Sequence, residues 1–332
     1  MELGEHRWLG LTLSPTVAAL FREHQAAKPP STGDAAGAGS SEQGGEGGLK
    51  VSTSDMMFST EGMRKKSADA RKVKEREAAA LESVRELLSP FLMAAGEEAS
   101  LAVGPAMQGV EAFEVEAEDS RTGLRGQLGL RATRDFAPME CFGVYGSYVM
   151  TEAEYNKFLT ENLQRKGDIE AYTVDMNESW QPLKLDRSGA VVKNGTSIKL
   201  VFMGHGYGNK TALMIDPQRE PIALFKAHGK DRVEQYAAED LVGEPNAIVA
   251  MFWVGGRGGF PVPVAMTRKE GKAGQELLYC YGADYWDTYI RGTEEAARFR
   301  STVERNRQLE LDLAQLRKLQ RSAAGGLVAE VL

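Results

Sequence analysis

The apolar positions of this chain change their spacing three times, and each change predicts a different kind of structure. From Met63 to Leu92 the run MRKKSADARKVKEREAAALESVRELLSPFL is rich in helix formers and sets Ala80, Leu81, Val84, Leu87 and Leu88 on one stripe behind a basic start. That pattern predicts an amphipathic helix ending near Pro90. Between Gly104 and Asp287 the texture turns to short β-rich runs broken by Gly and Pro: GLRA, CFGVYGSYV, AYTVDM, SIKLVFMG, ALMID, AIVAMFWV, FPVPVAM and ELLYCYG. With one helix-like stretch at Thr151 to Gln164, these runs predict an irregular, mainly β domain of several short sheets. Thr293 to Arg321 is helical again, with Leu309, Leu313 and Leu316 at four-and-three spacing among charged residues. It is long enough to dock on the domain or pair with another helix, although the heptad run is too short to define a coiled coil.

Two further segments complete the division. Leu9 to Phe21 has enough apolar residues for a short helix, while Ala26 to Gly48 is Gly, Ala, Ser and Pro without apolar periodicity and predicts a flexible linker. No repeat of about 20 to 50 residues is visible, which disfavours propellers and solenoids. The expected organisation is an N-terminal segment with linker (1–60), an amphipathic helix region (61–103), a β domain (104–290) and a C-terminal helix and tail (291–332).

Composition narrows the function classes. A chain of 332 residues with 42% hydrophobic and 26% charged positions is neither fibrous nor disordered throughout. Its longest apolar run, Ala247 to Val254, is too short to span a bilayer, and Met1 to Leu20 lacks the basic n-region and cleavage pattern of a secretory signal. A soluble intracellular protein, nuclear or cytoplasmic and without a membrane partner, is expected. Cys141 and Cys280 lie far apart and no two of the four histidines show ligand spacing, so no metal site is expected. Forty basic against forty-seven acidic residues give a net charge of −7, which argues against direct nucleic-acid binding and suits a basic peptide partner. The basic run Arg64 to Arg76 reads as a solvated helix face, with a nuclear targeting patch as the alternative.

Candidate chemistry gathers in two distant segments. The first, Gly126 to Val149 (GQLGLRATRDFAPMECFGVYGSYV), sets a Gly129 turn before Leu130-Arg131-Ala132-Thr133 and closes on Val144-Tyr145-Gly146. The second, Val262 to Trp286 (VPVAMTRKEGKAGQELLYCYGADYW), runs from a strand through a charged turn to the aromatic cluster Tyr279, Tyr281, Tyr285 and Trp286. Tyrosine hydroxyls in an aromatic wall can orient an amine while their rings favour a nearby cation.

On these motifs the chain resembles the SET-domain protein-lysine N-methyltransferase family, over roughly residues 108 to 290. GLRATRDFAP with CFGVYGSYV is similar to the family's opening pattern. The run Gly274-Gln275-Glu276-Leu277 to Gly282, with its trailing aromatic pair, is similar to the closing one, and Pro245-Asn246 matches the pair that precedes the penultimate strand. The resemblance implies a SET-type β-clip with a pseudoknot-like core, flanked by helices at both ends, and S-adenosylmethionine as cofactor. It further implies in-line methyl transfer to a lysine of a histone tail or another basic protein segment. Tyr281 and Tyr145 would line the lysine channel, and a Tyr279 hydroxyl, by limiting room, implies mainly mono-methylation. Gly129, Leu130, Arg131, Ile215, Asp216 and Trp286 would contact the cofactor.

The family's central G-N-x-A-R-F-I-N-H segment fits Gly208 to Asp216, which puts Ile215 where the asparagine is expected and Asp216 where the histidine is expected. A second register, Ile222 to His228, puts Ala227 at the asparagine place. Neither restores the amide, whose loss would weaken cofactor binding by roughly 1 to 3 kcal/mol if its partners stay unpaired. Two function classes follow: a methyltransferase, and a catalytically weak or inactive SET-like module that keeps a peptide groove.

Overall fold

The computed structural model describes residues 6–26, 57–58, 70–92, 107–119, 121, 126–175, 179–182, 184–185, 191–192, 197–254 and 259–329. Most of the expected linker between 26 and 48, and the start of the basic run at Arg64, lie outside these residues.

Several small sheets form the body. A hairpin of β1 (His6–Trp8) and β2 (Leu11–Leu13) opens the chain, before helix α1 (Pro15–Ala26). Strand β3 (Met57–Phe58) and helix α2 (Ala70–Leu92) follow; α2 runs two residues beyond Pro90, so the proline falls in its last turn. Next come β4 (Val110–Glu114), β5 (Leu128–Ala132), β6 (Cys141–Val144) and β7 (Tyr148–Thr151). The expected single run CFGVYGSYV is thus two strands, broken at Tyr145 to Ser147. Helix α3 (Glu152–Glu161) starts on a capping box between Thr151 and Glu154, the local reason that a strand turns into a helix at this point. Helix α4 (Lys166–Glu170), β8 (Thr173–Asp175), β9 (Lys184–Leu185), β10 (Val191–Val192) and β11 (Leu200–Met203) lead to α5 (Pro221–His228) and α6 (Lys230–Gln235). The long strands β12 (Ala247–Val254) and β13 (Phe260–Thr267) precede α7 (Ala283–Ala329).

One sheet has the order β1-β2-β7-β11-β8 and a second has the order β3-β12-β13-β6, with β4-β5 and β9-β10 as two-stranded pairs. Among the described strands β2 and β7 pair in parallel, whereas β12 and β13 pair antiparallel along their full length, from Ala247 opposite Thr267 to Val254 opposite Phe260. The expectation of a mainly β protein is too strong, because helix exceeds strand among the described residues: α7 alone spans 47 residues. Runs of β-formers without a long partner stay short, as at ELLYCYG and ALMID. These segments make single bridges, Ile215 to Leu278 and Ala247 to Tyr279, in place of strands.

The main core lies between the two larger sheets and under α1 and α2. Trp180 is fully buried there against Phe260 at 5.0 Å, and Trp8, Phe21 and Phe260 sit with centroids 4.8 to 5.3 Å apart. Ala80, Val84, Leu87 and Leu88 of α2 are buried, as their stripe predicts, and the Ser83 hydroxyl accepts from the Cys141 amide at 2.7 Å. On the far side α7 packs on α4, α5 and α6.

Candidate active site

The segment 276–282 builds the site because its neighbours hold it on both sides. Asn246 is buried; its amide donates to the Glu276 carbonyl at 2.8 Å and accepts from the Leu278 amide at 2.7 Å. On the other side the Tyr279 amide donates to the Ile215 carbonyl at 2.9 Å, and Ile215 lies parallel to Leu278. Buried Leu277 and Leu278 anchor the strand-like run. Extended geometry then sends Tyr279 and Tyr281 to the same side. Glu276 is tied down by the buried Arg121, whose guanidinium donates to Glu276 at 2.7 and 3.0 Å and to Asp119 at 2.8 and 2.9 Å.

Asp216 is the polar hub behind this segment. Its carboxylate accepts from the Tyr281 amide, the Gln218 amide and the Tyr236 hydroxyl, each at 2.9 Å. Burial nevertheless raises its pKa, with those donors opposing the shift. Tyr236 also accepts from the Gly282 amide at 2.9 Å. It holds this position with φ of 47°, a left-handed backbone that a tyrosine adopts at some cost. Gly282, at φ of 85°, turns the chain into α7. The first turns of that helix then present a tight aromatic cluster: Tyr281 and Tyr285 at 4.4 Å, Tyr285 and Trp286 at 4.9 Å, Trp286 and Tyr289 at 5.9 Å.

Tyr145 reaches the same place from the break between β6 and β7. Its amide donates to the Pro263 carbonyl at 2.8 Å, and the Asn209 amide donates to the preceding Val144 carbonyl at 2.8 Å. A Cβ at Gly146 would lie 3.0 Å from Asn209, which would have to give way.

Two cavities meet at these residues. The larger, about 980 Å³, is lined by Ile215, Asp216, Arg219, Lys226, Trp286 and Tyr289 among others. The smaller, about 400 Å³, is lined by Tyr145, Tyr155, Glu170, Tyr279 and Asp284 among others. Ala171, Tyr172, Ala212, Met214, Tyr281 and Tyr285 line both and form the wall between them. In that wall the Tyr281 hydroxyl donates to the Met214 carbonyl at 2.5 Å. Its proton is thereby committed, and its lone pairs are what it can offer to a guest. Burial pushes the Tyr279 phenol up to about 12 and raises Tyr145, Tyr281 and Tyr285 as well, so all four stay neutral.

Some of the residues singled out in the sequence meet at these cavities and others do not. Tyr145, Tyr279 and Tyr281 converge on the smaller cavity, and Ile215, Asp216 and Trp286 lie on the larger one. Of the two registers considered, Gly208 to Asp216 supplies the segment beside the closing run, whereas Ile222 to His228 falls in helix α5. Gly129, Leu130 and Arg131 line neither cavity. Leu130 is buried in the core and Arg131 turns outward to Glu111 at 2.7 Å. A Cβ on Gly129 would strike Phe113 at 2.7 Å, so this glycine serves packing; Gln127 and Leu128, just before it, reach the cavity instead. Tyr172 and Tyr236 are not among the expected site residues: Tyr172 reads as one more residue of the β-rich run AYTVDM, and Tyr236 is a lone tyrosine in a polar stretch. Among the described residues no group of three or more His, Cys, Asp or Glu is placed to hold a metal ion, and no helix is long and apolar enough to cross a membrane.

No family model matches the chain, and no curated protein matches it.

Proposed function

We propose that this chain is an S-adenosylmethionine-dependent protein-lysine N-methyltransferase with a SET-type β-clip and a pseudoknot-like core. The observation that carries the reading is the shared tyrosine wall, with a roomy cavity on one side and a small one on the other. A two-substrate transfer in which the partners enter from opposite faces needs that arrangement.

The larger cavity suits the cofactor chemically. About 980 Å³ lies at the upper end of ligand pockets. The faces of Tyr281, Tyr285 and Trp286 favour a sulfonium and a purine, and Arg219 and Lys226 stand at the exposed rim, where a carboxylate could pair. When bound, S-adenosylmethionine supplies an activated methyl group whose leaving thioether needs no acid.

The protein's own residues position the amine. Tyr281, with its proton held by Met214, accepts from an amine N–H in the small cavity, and Tyr145 and Tyr279 close the walls around it. Neutral phenols with raised pKa values are poor bases, so the lysine must arrive deprotonated. Glu170 and Asp284 at the smaller cavity already face Lys166 at 4.0 Å and Lys230 at 2.5 Å, so the choice of a basic protein segment such as a histone tail as its source rests on the resemblance to the SET-domain enzymes. The Tyr279 hydroxyl takes up room that extra methyl groups would need, which favours a mono-methylated product.

Calorimetry with S-adenosylmethionine tests the first half: absence of binding sinks the methyltransferase and leaves a peptide-binding module. Radiolabelled methyl transfer to mixed histones tests the second. Tyr281→Phe should retain cofactor binding and lose roughly a hundredfold or more in turnover, and an unchanged rate removes Tyr281 from its role.

A further inference from the structure

Helix α7 leaves the body after Arg300, whose guanidinium donates to the Gln164 carbonyl at 2.9 Å. From Thr302 to Gln315 every residue is exposed, and the helix continues to Ala329. The exposed stretch is 14 residues, roughly 21 Å, without tertiary support, and helices gain most of their stability from packing an apolar face. The exposed part carries such a face: Phe299 at 38%, Val303 at 48%, Leu309 at 52% and Leu313 at 52%.

Written as a heptad, Phe299, Asn306 and Leu313 fall at one core position, a, and Thr302, Leu309 and Leu316 at the other, d. Leu311, equally exposed, lies off this seam. The flanking positions decide what covers it. In a parallel, in-register pair each residue before an a position meets the residue five places further on in the partner. Arg305 then faces Glu310 and Asp312 faces Arg317, opposite charges in both cases and twice over by symmetry. Among the described residues, Arg305 and Glu310 make no ion pair within the chain. A single Asn at a core position, here Asn306, is the device that fixes register in two-stranded coils.

We infer that the occupant of this seam is a second copy of the chain, and that α7 forms a parallel, in-register coiled-coil homodimer beyond Arg300. The pairing does not depend on what the tyrosine-walled cavities bind.

Sedimentation equilibrium of the full chain over a dilution series should report a dimer. Leu309→Glu combined with Leu313→Glu should weaken dimerisation by at least a hundredfold while leaving the circular dichroism of the body intact. Arg305→Glu should weaken it roughly tenfold, and Arg305→Glu with Glu310→Arg should restore it. Leu313→Cys should cross-link under oxidation, because parallel register brings the two copies of that position together. A monomer at every concentration overturns the inference. So does a dimer indifferent to the leucine substitutions, and so does one that the paired charge swap fails to rescue.

Discussion

Replacing Asn246 by Ala tests how the tyrosine wall is held. The amide is buried and bonded to both a carbonyl and an N–H of the segment that carries Tyr279 and Tyr281. Alanine removes both partners and strands the Glu276 carbonyl and the Leu278 amide, at roughly 1 to 3 kcal/mol each. The sum, about 2 to 6 kcal/mol, translates into a fall of about 4 to 24 °C in Tm for a domain of this size. Urea denaturation followed by tryptophan fluorescence measures it. Asn246→Asp sharpens the test: one carboxyl oxygen still accepts from Leu278, but the other faces the Glu276 carbonyl and can bond only when protonated. That contact favours the protonated carboxyl and raises its folded pKa, so the variant's stability relative to the parent is greatest in acid and declines as pH rises through that pKa. An Ala variant within about 1 kcal/mol of the parent, or an Asp variant with a flat pH profile, would refute the claim that this amide splices the two segments.

Three other outcomes follow from neighbouring contacts. Arg121→Met leaves the Asp119 and Glu276 carboxylates facing each other, each about one-fifth exposed, and should destabilise the fold by roughly 3 kcal/mol in denaturant titration. Burial raises the Asp216 pKa above 3.8, so the folded state holds that proton more tightly than the unfolded chain. The contribution of Asp216 to stability should therefore decline as pH climbs from about 4 through its folded pKa, and the Asp216→Asn difference measured by urea titration should change across that window and be constant above it. If the cofactor's carboxylate pairs with the exposed Arg219 and Lys226, Arg219→Ala should raise the calorimetric Kd by roughly three- to tenfold, and the parent's Kd should rise with salt.

Elements with their own periodicity were legible in the sequence. The stripe of α2, helix α3 within the expected Thr151 to Gln164 stretch, and the strands β12 and β13 fall where apolar spacing and turn residues put them. The segments that build the site read less well, because their partners are distant in sequence and meet them at single bridges. ELLYCYG has the composition of a strand, yet it lies between Ile215 and Asn246 with no ladder on either side. Gly129 shows the converse limit. A glycine required by a neighbouring Phe113 ring looks the same in sequence as one required by a turn or a ligand. Tyr236 could not be singled out at all, since its role depends on a left-handed backbone set by tertiary contacts.

The exchange at positions 215 and 216 ties these observations together. An amide at 215 would offer polar contacts to a guest. Ile215 instead supplies its carbonyl to Tyr279 and its side chain to the packing under Gly129, where a Cβ would meet its Cδ1 at 3.2 Å. The polar function moves one residue along the chain: Asp216 takes three hydrogen bonds, and all of them go to the protein. Two of them end on Tyr281 and on Tyr236, which in turn holds Gly282, so the carboxylate fixes the tyrosine wall and the turn into α7. With those three contacts turned inward, the polar groups left at the larger cavity include the buried Gln218 side-chain oxygen and the exposed Arg219 and Lys226. On the proposed methyltransferase reading, the departure from the SET-domain pattern is then a loss of affinity before it is a loss of geometry, because the tyrosines stay in place.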